Sequence, residues 1–227
     1  MRNIEFRAVT LRFGTGATQM TALNAVDLSL EPGIFTVVSG PSGSGKTSLI
    51  SVLGAMMAPD SGAVLVEDSD ITKLTPDRRS AFRREKIGYV FQSFRLMAAL
   101  SAEENIRLSL EIRRVDSGRE CALEALEVVG LAAKAHLRPD QMSHGEKQRV
   151  ALARAIAHGP KIVLADEPTA SLDAVNGVHV TQLLADIARD KERIVVVVTH
   201  DPRILPVAQR VIRLEDGRIV GDQRCGG

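Results

Sequence analysis

The segment Gly40-Pro41-Ser42-Gly43-Ser44-Gly45-Lys46-Thr47 constrains the fold more than any other stretch of the chain. It has the spacing G-x-x-x-x-G-K-[ST], follows the apolar run from Phe35 to Ser39 and precedes a helical pattern, so strand, glycine-rich loop and helix come in order. Glycines let successive backbone N–H groups turn inward around phosphate oxygens, and the positive end of the next helix adds to the attraction. Gly40, Pro41, Ser42, Gly43, Ser44 and Gly45, with Ser48 beyond them, are the candidate nucleotide-binding residues. Lys46 is expected to contact the β- and γ-phosphates. Thr47 is expected to set its hydroxyl on Mg²⁺, which keeps most of its waters and takes few protein ligands.

Runs at residues 35–39, 87–91, 162–165 and 194–198 are apolar on both faces, as strands of a buried parallel sheet are. Helical repeats lie between them, the clearest at Val180, Leu183, Leu184, Ile187 and Ala188, so the chain predicts an α/β fold with a mainly parallel core sheet. Short alternating strands around 4–9, 27–30 and 63–67 predict an N-terminal antiparallel β-subdomain. The strand-poor stretch from about 95 to 149 reads as an inserted helical subdomain, leaving core and β-subdomain over 1–94 and 150–227. Within the insert, residues 119–130 carry Ala122, Leu123, Leu126 and Val129 on one helical face, with Gly130 as a stop. Ser101 and Glu104 spell a capping box, although Ile106, Leu108, Leu110 and Ile112 alternate like a strand; a helix is expected.

The run 162–165 delivers Asp166-Glu167-Pro168 at its carboxyl end, the end at which open α/β sheets bind ligands. Asp166 there can hold the hydration shell of Mg²⁺, and Glu167, one residue further out, can accept a proton from an attacking water. An isolated Asp-Glu pair equally suits a helix cap, and the phosphate loop is what favours the catalytic reading. The run 194–198 delivers Thr199-His200-Asp201 in the same way, so Gly40, Asp166 and His200 converge on one sheet edge. His200 can help to position the γ-phosphate or the water, and the amide of Gln92, after 87–91, can touch both Mg²⁺ and that water.

With 29 Lys plus Arg against 28 Asp plus Glu, the chain lacks the positive excess of a nucleic-acid binder. Cys121 and Cys225 fit no zinc or disulfide spacing and point to a reducing compartment. Residues 1–9, charged at Arg2, Glu5 and Arg7, lack the apolar core of a signal peptide, and the apolar stretch 49–58 is too short to span a bilayer.

Met142-Ser143-His144-Gly145-Glu146 precedes a helix expected over 150–158 and stopped by Gly159-Pro160. A capping box explains Ser143 and Glu146 but not Gly145, which weakens a first turn; a backbone that must approach a phosphate accounts for it. At this point the chain resembles the nucleotide-binding subunits of ABC transporters over nearly its whole length, with every motif in family order. Residues 40–47 are similar to Walker A, Gln92 to the Q-loop glutamine, 142–146 to the signature, Asp166 and Glu167 to Walker B with its catalytic glutamate, Ser171-Leu172-Asp173 to the D-loop and His200 to the switch histidine. Phe13 sits where the family has an aromatic stacking on adenine. The signature departs from the usual Leu-Ser-Gly-Gly-Gln at Met142, His144 and Glu146.

The resemblance implies an ATPase that works as a head-to-tail dimer of two copies. Each ATP lies between one copy's Walker A and the other's signature, whose Ser143 and Gly145 contact the γ-phosphate, and Asp173 is a further ATP-binding candidate. It further implies an integral membrane permease as partner, docking a cytoplasmic helix between the Gln92 segment and the helical insert, and a location on the cytoplasmic face of the inner membrane. The tail, Thr199 to Leu205 and then 212–217, looks most like exporters of the lipoprotein-releasing, macrolide and glycolipid group, so the expected cargo is a lipid, lipoprotein or hydrophobic small molecule. A non-transport ATPase that regulates cell-wall hydrolysis at division is the alternative.

Overall fold

The computed structural model of the protein describes residues 3–225. Met1 and Arg2, part of the stretch read for an export signal, lie outside the described residues. β1 (Ile4–Phe13) and β2 (Met20–Leu30) pair as an antiparallel hairpin, and β3 (Phe35–Ser39) leads through the phosphate loop into α1 (Lys46–Leu53). β4 (Ser61–Val66) and β5 (Ser69–Asp70) continue the hairpin's sheet, and α2 (Pro76–Lys86) leads to β6 (Ile87–Val90). The insert holds α3 (Ala102–Ile112), α4 (Gly118–Val128) and the start of α5 (His144–Ile156). β7 (Ile162–Asp166), α6 (Ala174–Ala188), β8 (Ile194–Thr199), β9 (Arg210–Glu215) and β10 (Arg218–Arg224) follow.

The strands form a four-stranded sheet in the order β2-β1-β4-β5 and a six-stranded sheet in the order β10-β9-β3-β8-β7-β6. In the second, β9, β3, β8, β7 and β6 are parallel and β10 alone runs antiparallel at the edge. This is the expected α/β fold. Alternate residues of β8 explain why its run is apolar on both faces. Val195 and Val197 join a core shared with α5, α6 and the insert, whereas Val196 and Val198 join one shared with α1 and the antiparallel sheet. Burial of each such side chain stabilises the fold by about 2 kcal/mol.

β1 and β2 are longer than the short strands predicted. Ala8 and Ala25 adopt φ of 46° and 47° where the β1–β2 register shifts, and bulges of this kind break the period-two pattern that would reveal the full hairpin. In α3 the capping box closes, and Ile106 and Leu110, four apart, are buried while Ile112 is exposed, so the helical period wins over the apparent alternation. α5 begins at His144 rather than near residue 150. Ser143 Oγ accepts from the Glu146 N–H at 3.2 Å and Glu146 Oε2 accepts from the Ser143 N–H at 2.8 Å, which starts the helix at the box itself. α5 therefore spans the expected 149/150 boundary, and insert and core share that helix.

Candidate functional site

Strand register sets the site. Ser39 pairs with Thr199 across β3 and β8, Asp166 with Val198 across β7 and β8, and Val90 with Ala165 across β6 and β7. The residues that follow, Gly40, His200, Glu167 and Gln92, therefore leave the sheet along one carboxyl edge.

In the loop after β3, Lys46 is buried, and its Nζ donates to the carbonyls of Gly40 and Pro41 at 2.9 and 2.8 Å. Among the described residues no carboxylate forms an ion pair with it. A buried ammonium held only by carbonyl dipoles favours an anion beside it. Ser44 Oγ is likewise buried without a partner. Gly45 has φ of 102°, and a Cβ there would stand 2.2 Å from the Ala22 carbonyl oxygen, so β2 packs against the loop as closely as glycine allows.

Thr47 Oγ1 donates to Asp166 Oδ1 at 3.3 Å, bringing a hydroxyl and a carboxylate oxygen together at the start of α1. Burial is the main force raising the Asp166 pKa, and Glu167 adds to it, against the Thr47 hydrogen bond and the Lys46 charge. With the Gln92 amide these are hard oxygen donors of the kind Mg²⁺ takes.

Glu167 has a left-handed backbone, φ 47°, uncommon for a non-glycine residue and often found where function holds a chain under strain. Its N–H donates to the Val198 carbonyl, which fastens β7's exit to β8. The carboxylate accepts from Thr199 Oγ1 at 2.8 Å, from the His200 N–H at 3.1 Å and from His200 Nδ1 at 2.7 Å. Since a carboxylate only accepts, Nδ1 carries the proton and Nε2 is the free ring nitrogen. Asp201, next along, is held far below the usual carboxylate range by Arg203, against burial, with help from Thr169.

A cleft of about 330 Å³ gathers Phe13, Ser42, Gly43, Gly45, Lys46, Thr47, Ser48, Gln92, Glu167 and His200. Gly40, Pro41 and His200 line an adjoining hollow, and Gln92 and Asp166 also line a groove of about 870 Å³ that includes His144. Met20, not singled out by sequence, pairs with Phe13 across the hairpin, and both side chains are exposed at the cleft's mouth. Knowing the hairpin register was the only route to it.

Ser143, Gly145 and Asp173 do not line the 330 Å³ cleft. Asp173 caps α6, accepting from the Asn176 N–H at 2.9 Å and from Asn176 Nδ2 at 2.7 Å. A Cβ on Gly145 would stand 2.4 Å from Asn176 Oδ1, so packing within the chain already requires glycine there. Packing against Asn176 is thus a second demand on Gly145 beside the expected phosphate approach.

Fold and cleft together define a P-loop nucleotide-binding protein. The ABC transporter family model matches residues 23–170, and the chain belongs to that family. It is 38% identical to an uncharacterized ABC transporter ATP-binding protein of Methanocaldococcus jannaschii, MJ0796, over 99% of this chain and 98% of the relative. It is also 38% identical to the macrolide export ATP-binding/permease protein MacB of Hyphomonas neptunium, over 96% of this chain but only 34% of MacB, so the chain spans about a third of that relative's length. The dimeric structure of a post-hydrolysis state of MJ0796 bound to ADP and Pi superposes with a TM-score of 0.90 at 36% identity, covering 99% of each chain.

Proposed function

We propose that the chain binds and hydrolyses ATP between two copies of itself, and that closing and reopening of this dimer powers a membrane exporter of a lipid, lipoprotein or hydrophobic small molecule. The observation that carries the reading is the buried Lys46, which among the described residues has no carboxylate partner, beside the linked Thr47–Asp166 and Glu167–His200 pairs at one sheet edge. Lys46 and the loop N–H groups bind the phosphates, and Phe13 with Met20 offers an apolar platform for the base. Thr47, Asp166 and Gln92 hold Mg²⁺, which when bound neutralises charge on the phosphate oxygens. Glu167 takes the proton of the attacking water, while His200 steadies the γ-phosphate or the water through Nε2.

Ser143, Gly145 and Asp173 serve the nucleotide of the opposite copy, in keeping with their absence from this chain's own phosphate cleft. The solved dimer of MJ0796 with ADP and Pi and the permease part of MacB's name support the pairing and the membrane partner. The partner docks a cytoplasmic helix between the Gln92 segment and the insert, holding the chain at the cytoplasmic face of the inner membrane. Among the described residues no helix is long and apolar enough to cross a membrane.

Glu167→Gln tests the mechanism. It should keep ATP affinity, lower hydrolysis by about a hundredfold or more and accumulate ATP-dependent dimers in size-exclusion chromatography. Monomers persisting with saturating ATP would sink the two-copy mechanism, and copurification with soluble proteins alone would sink the exporter reading.

A further inference from the structure

From Met142 to Arg149 the only acidic side chain is Glu146, the last residue of the signature. Its carboxylate has two partners. Oε2 accepts from the Ser143 N–H at 2.8 Å, which closes the capping box, and Oε1 accepts from Lys134 Nζ in an ion pair. Lys134 ends a short turn, Ala132–Lys134, that follows α4. The turn is fixed from both sides. Leu131 and Ala135, which flank it, are buried, and the Ala135 carbonyl accepts from the Glu103 N–H at 2.9 Å at the start of α3. A firmly seated part of the insert therefore brings a cation to the signature.

The pair does little for the fold, because Lys134 is half exposed and ion pairs with one end in water contribute little to stability. Nor does the capping box need an acid, since glutamine at the same position closes it as well. The Lys134 ammonium, and after it the Ser143 N–H, hold the Glu146 carboxyl below its usual range against partial burial, so it is ionised at physiological pH. What the pair changes is the charge beside Ser143 and Gly145. Those two residues serve the γ-phosphate of the opposite copy's ATP in the two-copy reading, and a bare carboxylate within the same helical turn would repel that phosphate.

We propose that Lys134 is a positioning residue for the opposite copy's nucleotide: by neutralising Glu146 it lets an acidic signature turn receive a γ-phosphate. The inference rests on the two-copy ATPase reading above and adds to it a residue outside every motif. Lys134 acts through Glu146 and touches no nucleotide itself. The net charge of the pair then sets how well the turn receives ATP. The intact pair is neutral, loss of the lysine charge leaves one negative charge, and loss of the glutamate charge leaves one positive. Lys147 and Arg149, further along α5, are the same in all three cases.

The test builds each variant into the Glu167→Gln parent and measures dimer formation by analytical ultracentrifugation with saturating Mg-ATP at low salt. Lys134→Gln should weaken ATP-dependent dimerisation about tenfold, and Lys134→Arg should leave it at the parent's value. Glu146→Gln should tighten it. Lys134→Gln combined with Glu146→Gln should return it close to the parent although the ion pair is gone. The spread among variants should narrow as salt rises, while melting temperatures without nucleotide stay close together. A merely structural strut predicts another order: every variant lacking the pair, Glu146→Gln and the double variant included, would dimerise more weakly in step with its melting temperature. That order would overturn the proposal, as would a Lys134→Gln variant that dimerises as tightly as the parent. A Glu167→Gln parent that stays monomeric with ATP would remove the two-copy reading itself and this inference with it.

Discussion

Asp166 shows how a residue's task and its stability diverge. Its pKa is raised in the folded chain, chiefly by burial, so the ionised form opposes folding. Stability from this group is fully present below the unfolded pKa and is lost as pH rises through the raised folded pKa. Asp166→Asn, neutral at every pH, should thus melt at the same or a higher temperature than wild type at pH 7 without nucleotide, while Mg-ATP hydrolysis falls by about a hundredfold or more. A lower melting temperature in differential scanning calorimetry would contradict the electrostatic account. At this scale the sequence was informative wherever chemistry depends on residue type at the end of a strand. Gly40, Lys46, Asp166, Glu167 and His200 could all be found that way. Met20 and Asn176 could not, since their importance comes from a cross-strand register and an interhelix contact that no local pattern encodes.

Among the elements, α5 and α6 meet through Gly145 and Asn176, and Asn176 is bound in turn by the Asp173 cap. A methyl at residue 145 would overlap the Asn176 side chain. Gly145→Ala should cost about 1 to 3 kcal/mol in urea denaturation without any nucleotide, and Asn176→Ala in the same chain should recover much of it. If Gly145→Ala unfolds with the wild-type midpoint, phosphate approach is the only demand on that glycine after all. Element boundaries were less legible than element types. α5 was expected six residues too late because its apolar face begins after the capping box, and β1 and β2 were expected too short because bulges at Ala8 and Ala25 hide the alternation. The four core strands were legible because each is a compact apolar run buried on both faces.

For the whole molecule, the reading of one chain as half of a two-site machine predicts a rate that depends on concentration. Specific ATPase activity should rise with protein concentration and level off once dimers saturate, and a rate independent of dilution across the micromolar range would mean that one chain suffices. Val175 and Val178, exposed three residues apart beside Asp173, form an apolar strip suited to contact with the second copy. Glu167 gives this dependence a further meaning. In the single chain three donors from Thr199 and His200 already occupy both of its oxygens. On the proposed mechanism, the proton of the water competes with these donors for the carboxylate, so a shift in any of them changes how readily Glu167 accepts it. On that reading the strained turn at Glu167 would act as a safety catch: a solitary subunit would be loaded with fuel without burning it, and whatever shifts the His200 segment would release the catch.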